Sequence, residues 1–173
     1  MGLLHYLFGF SGRINRAKMW LYFLLWLITV GVAVYAVLAA VGFGHLIAIG
    51  QHKEEAAAVF ANPALMTTFR VLGLLYIVLF WIELAVKSKR LHDRNKSAWW
   101  LLVFVALPSA LGIARLFFMF AAMHAHGSLG AGQDPVGTLL GGASLLIQLW
   151  AFVELYCFSG TTGENRYGPD PLA

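Results

Sequence analysis

Arg90, His92, Asp93 and Arg94 form the densest group of chemically capable side chains in the chain, inside the polar stretch 87–100. Paired guanidinium groups suit phosphate or carboxylate oxygens. An imidazole beside a carboxylate invites acid–base chemistry. Neighbouring residues on a helix point in different directions, however, so His92 and Asp93 make no ready dyad. No nucleophile or orienting third group accompanies them, and no catalytic constellation is expected. The leading expectation is therefore binding. Arg13, Arg16, Arg90 and Arg94 would contact an anionic lipid head group or a partner protein, with His92 and Asp93 orienting them. A charged turn that caps helix ends is the plainer alternative.

Two further acids, Glu83 and Glu154, lie inside apolar runs, where ionisable groups are costly and face an interior, a cavity or a partner. They could serve a proton or cation path, which would make the chain a small transporter or channel component. Four helices are few for a lone transporter, so that reading requires a homo-oligomer. Ion pairing is the structural alternative: Lys87 lies one turn after Glu83, and Arg13, Arg16 or Arg90 could reach either acid. A membrane enzyme acting at the inner interface through His92 and Asp93 is a further alternative. His45, His52, His124, His126 and Asp134 are too loosely spaced for a metal site to be expected. The single cysteine, Cys157, excludes an internal disulfide and reads as apolar filler in a helix. No cofactor is implied.

The elements that carry these groups are membrane helices. Hydrophobic residues make up 60% of the chain and charged ones only 12%, with a mean hydropathy of +0.75. A soluble domain typically has about 25% charged residues, and a soluble fold of this size could not hide so much apolar surface. Four apolar runs near 19–46, 70–87, 98–121 and 137–158 are each long enough to span a bilayer as a helix. They predict one all-α, four-helix integral membrane domain over residues 1–173, with membrane lipids as its surroundings.

Topology follows from the cations. Five of the twelve Lys and Arg residues, Lys87, Lys89, Arg90, Arg94 and Lys96, fall in what reads as a short hairpin between the second and third runs. Arg13, Arg16 and Lys18 precede the first run. The loop after residue 123 carries neither Lys nor Arg. The positive-inside rule places both termini and the hairpin in the cytoplasm of a plasma or inner membrane. Trp20, Trp99 and Trp100 then mark the inner interface. The net charge of +4 gathers at the ends of apolar runs, so it does not indicate a nucleic-acid partner. Leu3, Leu4, Tyr6, Leu7, Phe8 and Phe10 read as a short segment lying in the interface. Arg115 sits awkwardly inside the third run. A bend at Pro108 and a helix end near Gly112 would let the rest lie along the outer surface.

Each half repeats one plan, a basic segment, Trp, helix, loop and helix, and the tetrads Trp81-Ile82-Glu83-Leu84 and Phe152-Val153-Glu154-Leu155 echo one another. A duplicated unit is one explanation and chance is the other. Three motifs together resemble DUF805, a family of small bacterial inner-membrane proteins of unknown function. They are Phe10-Ser11-Gly12-Arg13-Ile14-Asn15-Arg16 leading to Trp20, Arg90-Leu91-His92-Asp93 leading to Ser97 and Trp99-Trp100, and Gly163-Glu164-Asn165-Arg166-Tyr167-Gly168-Pro169-Asp170-Pro171. The family's hairpin usually carries Gly where this chain has Asn95 and Ala98. Asn tolerates left-handed backbone and Ala does not. The resemblance implies a four-helix inner-membrane protein, brings no established activity, and suggests that the three motifs share one surface.

Overall fold

Apolar runs without partners for their backbone must satisfy it internally, and this chain does so with helices. The structure is a computed structural model that describes residues 2–41, 63–126 and 134–172. Helix α1 is Leu3–Phe8, α2 is Arg16–Val41 and α3 is Pro63–Asp93. Helix α4, Leu107–His126, follows a π-helical turn, Leu102–Ala106. Helix α5, Pro135–Phe152, runs into a second π-helical turn, Val153–Cys157. Among the described residues four helices are long and apolar enough to cross a membrane: Arg16–Ala39, Met66–Asp93, Leu102–Ala122 and Pro135–Cys157. Their exposed side chains are mostly large and apolar, among them Leu24, Ile28, Leu74, Ile77, Phe117 and Leu146, whereas Arg13, Lys89, Arg90 and Asp93 are buried. A surface that is oily outside and ionic inside suits lipid as solvent.

The described chain divides into two compact units, Trp20–Glu83 on one hand and Met1–Met19 with Leu84–Ala173 on the other. In the first, α2 and α3 wall an apolar cleft of about 420 Å³ between side chains such as Trp26, Val30, Phe69 and Tyr76. In the second, α4 packs against α5. Trp150 meets Trp100 and Phe104 edge-on at 5.6 and 5.2 Å, and Ser144 Oγ donates to the Pro108 carbonyl at 3.4 Å.

Three local expectations change. The polar stretch after residue 87 is not a loop throughout: α3 continues to Asp93, and the turn is confined to the residues beyond it. The cations of that last helical turn are buried because carbonyls from other segments receive them. The helix does not end near Gly112, since α4 is continuous to His126. The π-helical turn just before it contains Phe104, whose carbonyl Pro108 has no N–H to satisfy, and the widened turn absorbs the proline. Cys157 lies on a helical turn as expected, but exposed rather than as core filler. The two echoed tetrads also differ locally, with Glu83 in a regular helix and Glu154 in the second π-helical turn.

Candidate functional site

The junction of the larger unit is built around the carboxyl end of α3, and Asn95 is what ends that helix. Its φ of 55° is left-handed. Asn95 N–H donates to the His92 carbonyl at 2.9 Å and Lys96 N–H to the Leu91 carbonyl at 2.8 Å, the paired bonds of a Schellman cap. Asn95 thus does the work expected of the family's Gly. The chain then restarts at Ser97, whose Oγ accepts from Trp99 N–H at 3.1 Å.

Asp93, only 2% exposed, holds the centre. Its Oδ1 accepts from Arg13 Nε at 3.2 Å and Nη2 at 3.1 Å, and its Oδ2 accepts from Arg90 Nη1. One buried carboxylate thus bridges two buried guanidinium groups and leaves one positive charge in excess. The surplus cationic donors go to carbonyls. Arg13 donates to Gly163 at 2.6 Å, Gly168 at 3.1 Å and Thr161 at 2.5 Å. Arg90 donates to Leu155 at 2.8 Å and also to Phe158. Arg94 reaches Ser159 at 2.7 Å and Arg16 reaches Cys157 at 3.0 Å. The last carbonyls after α5, which a helix end leaves unpaired, are therefore capped by arginines from two segments, Arg16 from the N-terminal one and Arg90 and Arg94 from the end of α3.

Lys89 plays the same part for α1. Its fully buried ammonium donates to the carbonyls of His5, Tyr6 and Gly9 at 3.0, 2.6 and 2.5 Å, matching three donors to three acceptors. Tyr6, under the ammonium at 5.7 Å, donates its hydroxyl to the Lys18 carbonyl, and burial pushes its phenol above the usual range.

The tail closes the junction. Thr161 N–H and Oγ1 both donate to the Asp93 carbonyl, at 2.8 and 2.9 Å. Asn165 Nδ2 donates to the His92 carbonyl at 3.0 Å, and Arg166 to that of Asn95 at 2.9 Å. The His92 ring stacks on Tyr167 at 3.9 Å. His92 Nδ1 lies 3.2 Å from the Gly12 carbonyl, an acceptor only, so this nitrogen carries the proton. His92 and Asp93 are not hydrogen-bonded to each other. Asp170 Oδ2 and Oδ1 accept from Gly163 and Leu172 N–H at 2.8 and 2.9 Å, and those bonds hold its carboxyl below the usual range.

Arg13, Arg90, His92, Asp93 and Arg94 are thus brought together, with Arg16 at the edge. Glu154 joins them. Its Oε1 accepts from Arg94 Nε at 3.0 Å and Lys96 Nζ at 2.8 Å, rather than from the cations nominated by sequence. Glu83 belongs to the other unit, half-buried on α3. Sequence reasoning missed Lys89, Thr161 and Asn165 as builders of the junction; the tail motif was the only signal for the last of these. Among the described residues no group of His, Cys, Asp and Glu is placed to hold a metal, while His45 and His52 lie outside those residues.

Beside the junction lies a cleft of about 310 Å³ walled by Asn15, Arg16, Ser159, Thr161, Thr162 and Asp170, among others. Arg16 is exposed there, and among the described residues only its Nη1 has a partner. A guanidinium with idle donors beside hydroxyls is equipped to receive an anion.

Helices of this length and a polar knot at one end of them define a small polytopic helical membrane-protein class. Within it, the chain belongs to the family described as "Protein of unknown function (DUF805)", whose model matches residues 7–169. It is 29% identical over 171 residues to "Uncharacterized protein YiiR" of Escherichia coli strain K12, covering 98% of this chain and 90% of that protein. It is 27% identical over 163 residues to "Inner membrane protein YhaH" of the same strain, covering 94% and 87%. No solved structure matches it.

Proposed function

We propose that the protein is a non-enzymatic inner-membrane protein with both termini in the cytoplasm, whose junction binds the phosphate of an anionic lipid head group. The cation distribution supports that orientation, and the similarity to an inner membrane protein supports the location. The observation that carries the binding role is the cleft beside Arg16. Arg13 and Arg90 act as scaffold in this reading, because their donors already serve Asp93 and carbonyls. Arg16 makes the contact, and the surplus of buried positive charge behind it favours an anion at the inner leaflet. The transport reading is weaker, since Glu154 is committed to Arg94 and Lys96.

Native mass spectrometry of the full-length protein with phosphatidylglycerol and phosphatidylcholine tests this. Wild type should retain the anionic lipid and Arg16→Gln should lose it, whereas Glu154→Gln should not create or abolish proton flux in vesicles. A wild type that retains no anionic lipid, or an Arg16→Gln variant that retains it equally, overturns the proposal.

A further inference from the structure

Arg115 takes no part in the junction. It stands within the span Leu102–Ala122, about 20 Å along the helix from Leu102 at roughly 1.5 Å per residue. With Trp99 and Trp100 at the near interface and a hydrocarbon core of about 30 Å, its Cα lies several ångströms short of the far interface. Its side chain is exposed and has no hydrogen bond or ion pair among the described residues. It lies flat on α5: Nη1 is 3.1 Å, and Cδ and Cζ 3.3 Å, from the point a Cβ on Gly141 would occupy. Glycine at 141 is thus what seats the guanidinium against the neighbouring helix.

A guanidinium at this depth is costly unless an anion or water reaches it, and the described residues supply no anion to Arg115. The exposed side chains one turn along on the same faces, Phe118 on α4 and Leu145 on α5, are apolar. These apolar surroundings favour a counter-ion that arrives with acyl chains attached. We propose that Arg115, seated on Gly141, holds the phosphate of a phospholipid in the leaflet opposite the Asp93 junction. The phosphate accepts two guanidinium N–H bonds, the bilayer thins locally to bring it down, and the acyl chains cover Phe118 and Leu145. This site is independent of the cleft beside Arg16.

The test uses the full-length protein in nanodiscs, with phosphatidylglycerol as one probe and a phosphate-free glucosyl diacylglycerol as the other. Lipid retention is read by native mass spectrometry and oligomeric state by chemical cross-linking. Arg115→Gln should weaken phosphatidylglycerol retention about tenfold, the loss of one strong charge-assisted contact, with no change for the glucolipid. Gly141→Leu, which keeps the charge but fills the seat, should do the same. Arg115→Lys, a point charge without the planar fork, should fall between and guards against misreading a folding defect. Equal retention of phosphatidylglycerol by wild type and both Arg115→Gln and Gly141→Leu overturns the proposal. So does loss of a cross-linked dimer in Arg115→Gln without lipid loss, which would assign Arg115 to an acid on a second copy.

Discussion

Asp93 and Gly160 approach so closely that a Cβ on residue 160 would lie 2.0 Å from Asp93 Oδ2. The glycine is there because the tail must pass directly over the carboxylate that bridges Arg13 and Arg90. Gly160→Ala should therefore lift the tail and destabilise the protein by about 1–3 kcal/mol, the usual cost of overpacking. Asp93→Asn should cost more, about 3–5 kcal/mol, because it leaves two buried guanidinium groups without their counter-charge. Thermal unfolding in detergent reads both. Melting temperatures equal to wild type would mean that the Arg13–Asp93–Arg90 bridge does not hold the junction.

Ser88 predicts a gain. It is fully buried, and among the described residues its Oγ has no hydrogen-bond partner. A buried hydroxyl left unsatisfied costs about 1–3 kcal/mol. Ser88→Ala removes that penalty and should raise the melting temperature, and a clear drop would count against the packing around Ser88.

Asn95 separates backbone from side-chain effects. At φ 55°, Asn95→Gly should be neutral or slightly stabilising, whereas Asn95→Ala should cost about 1 kcal/mol and Asn95→Val more. The ranking Gly, Asn, Ala, Val in chemical denaturation midpoints checks the helix cap. Any ranking that places Val above Gly removes it.

The tail turn should respond to acid through Asp170. Its carboxyl is held below the ordinary value by the Leu172 and Gly163 N–H groups. A depressed folded-state pKa means that the unfolded chain binds more protons, so the contribution is fully present above the ordinary carboxylate value of about 4. It fades as pH falls through the lower folded value. The protection factor of the Gly163 amide, exchange taken relative to its intrinsic rate at each pH, should fall over that interval in wild type. In Asp170→Asn the same amide should exchange faster already at neutral pH, with a weaker acid response.

The spans were legible because a long run without charge has few fates, and Asn95 because left-handed backbone selects a short list of residues. The meeting of three motifs was foreshadowed by the resemblance of their order to one family. What could not be read was the use of the cations. Lys89 resembles any surface lysine until α1 supplies three carbonyls beneath it. Arg13 and Arg90 look like ligand-binding arginines until the tail presents Thr161 and Gly163 and the turn after α5 presents Leu155. Such pairings join residues far apart in sequence and leave no local period. Pro108 misled for a related reason: a π-helical turn can absorb a proline that propensity alone would treat as a break.

Arg13 donates to Thr161, on the far side of almost the whole chain. Closing that contact carries a long loop penalty and cannot precede synthesis of the tail. During membrane insertion α2, α3, α4 and α5 emerge while Arg13 still lacks the carbonyls of Thr161, Gly163 and Gly168. The junction is therefore a completion check. A nascent or truncated chain carries an under-satisfied arginine at its cationic end, and only a chain translated through Gly168 conceals it.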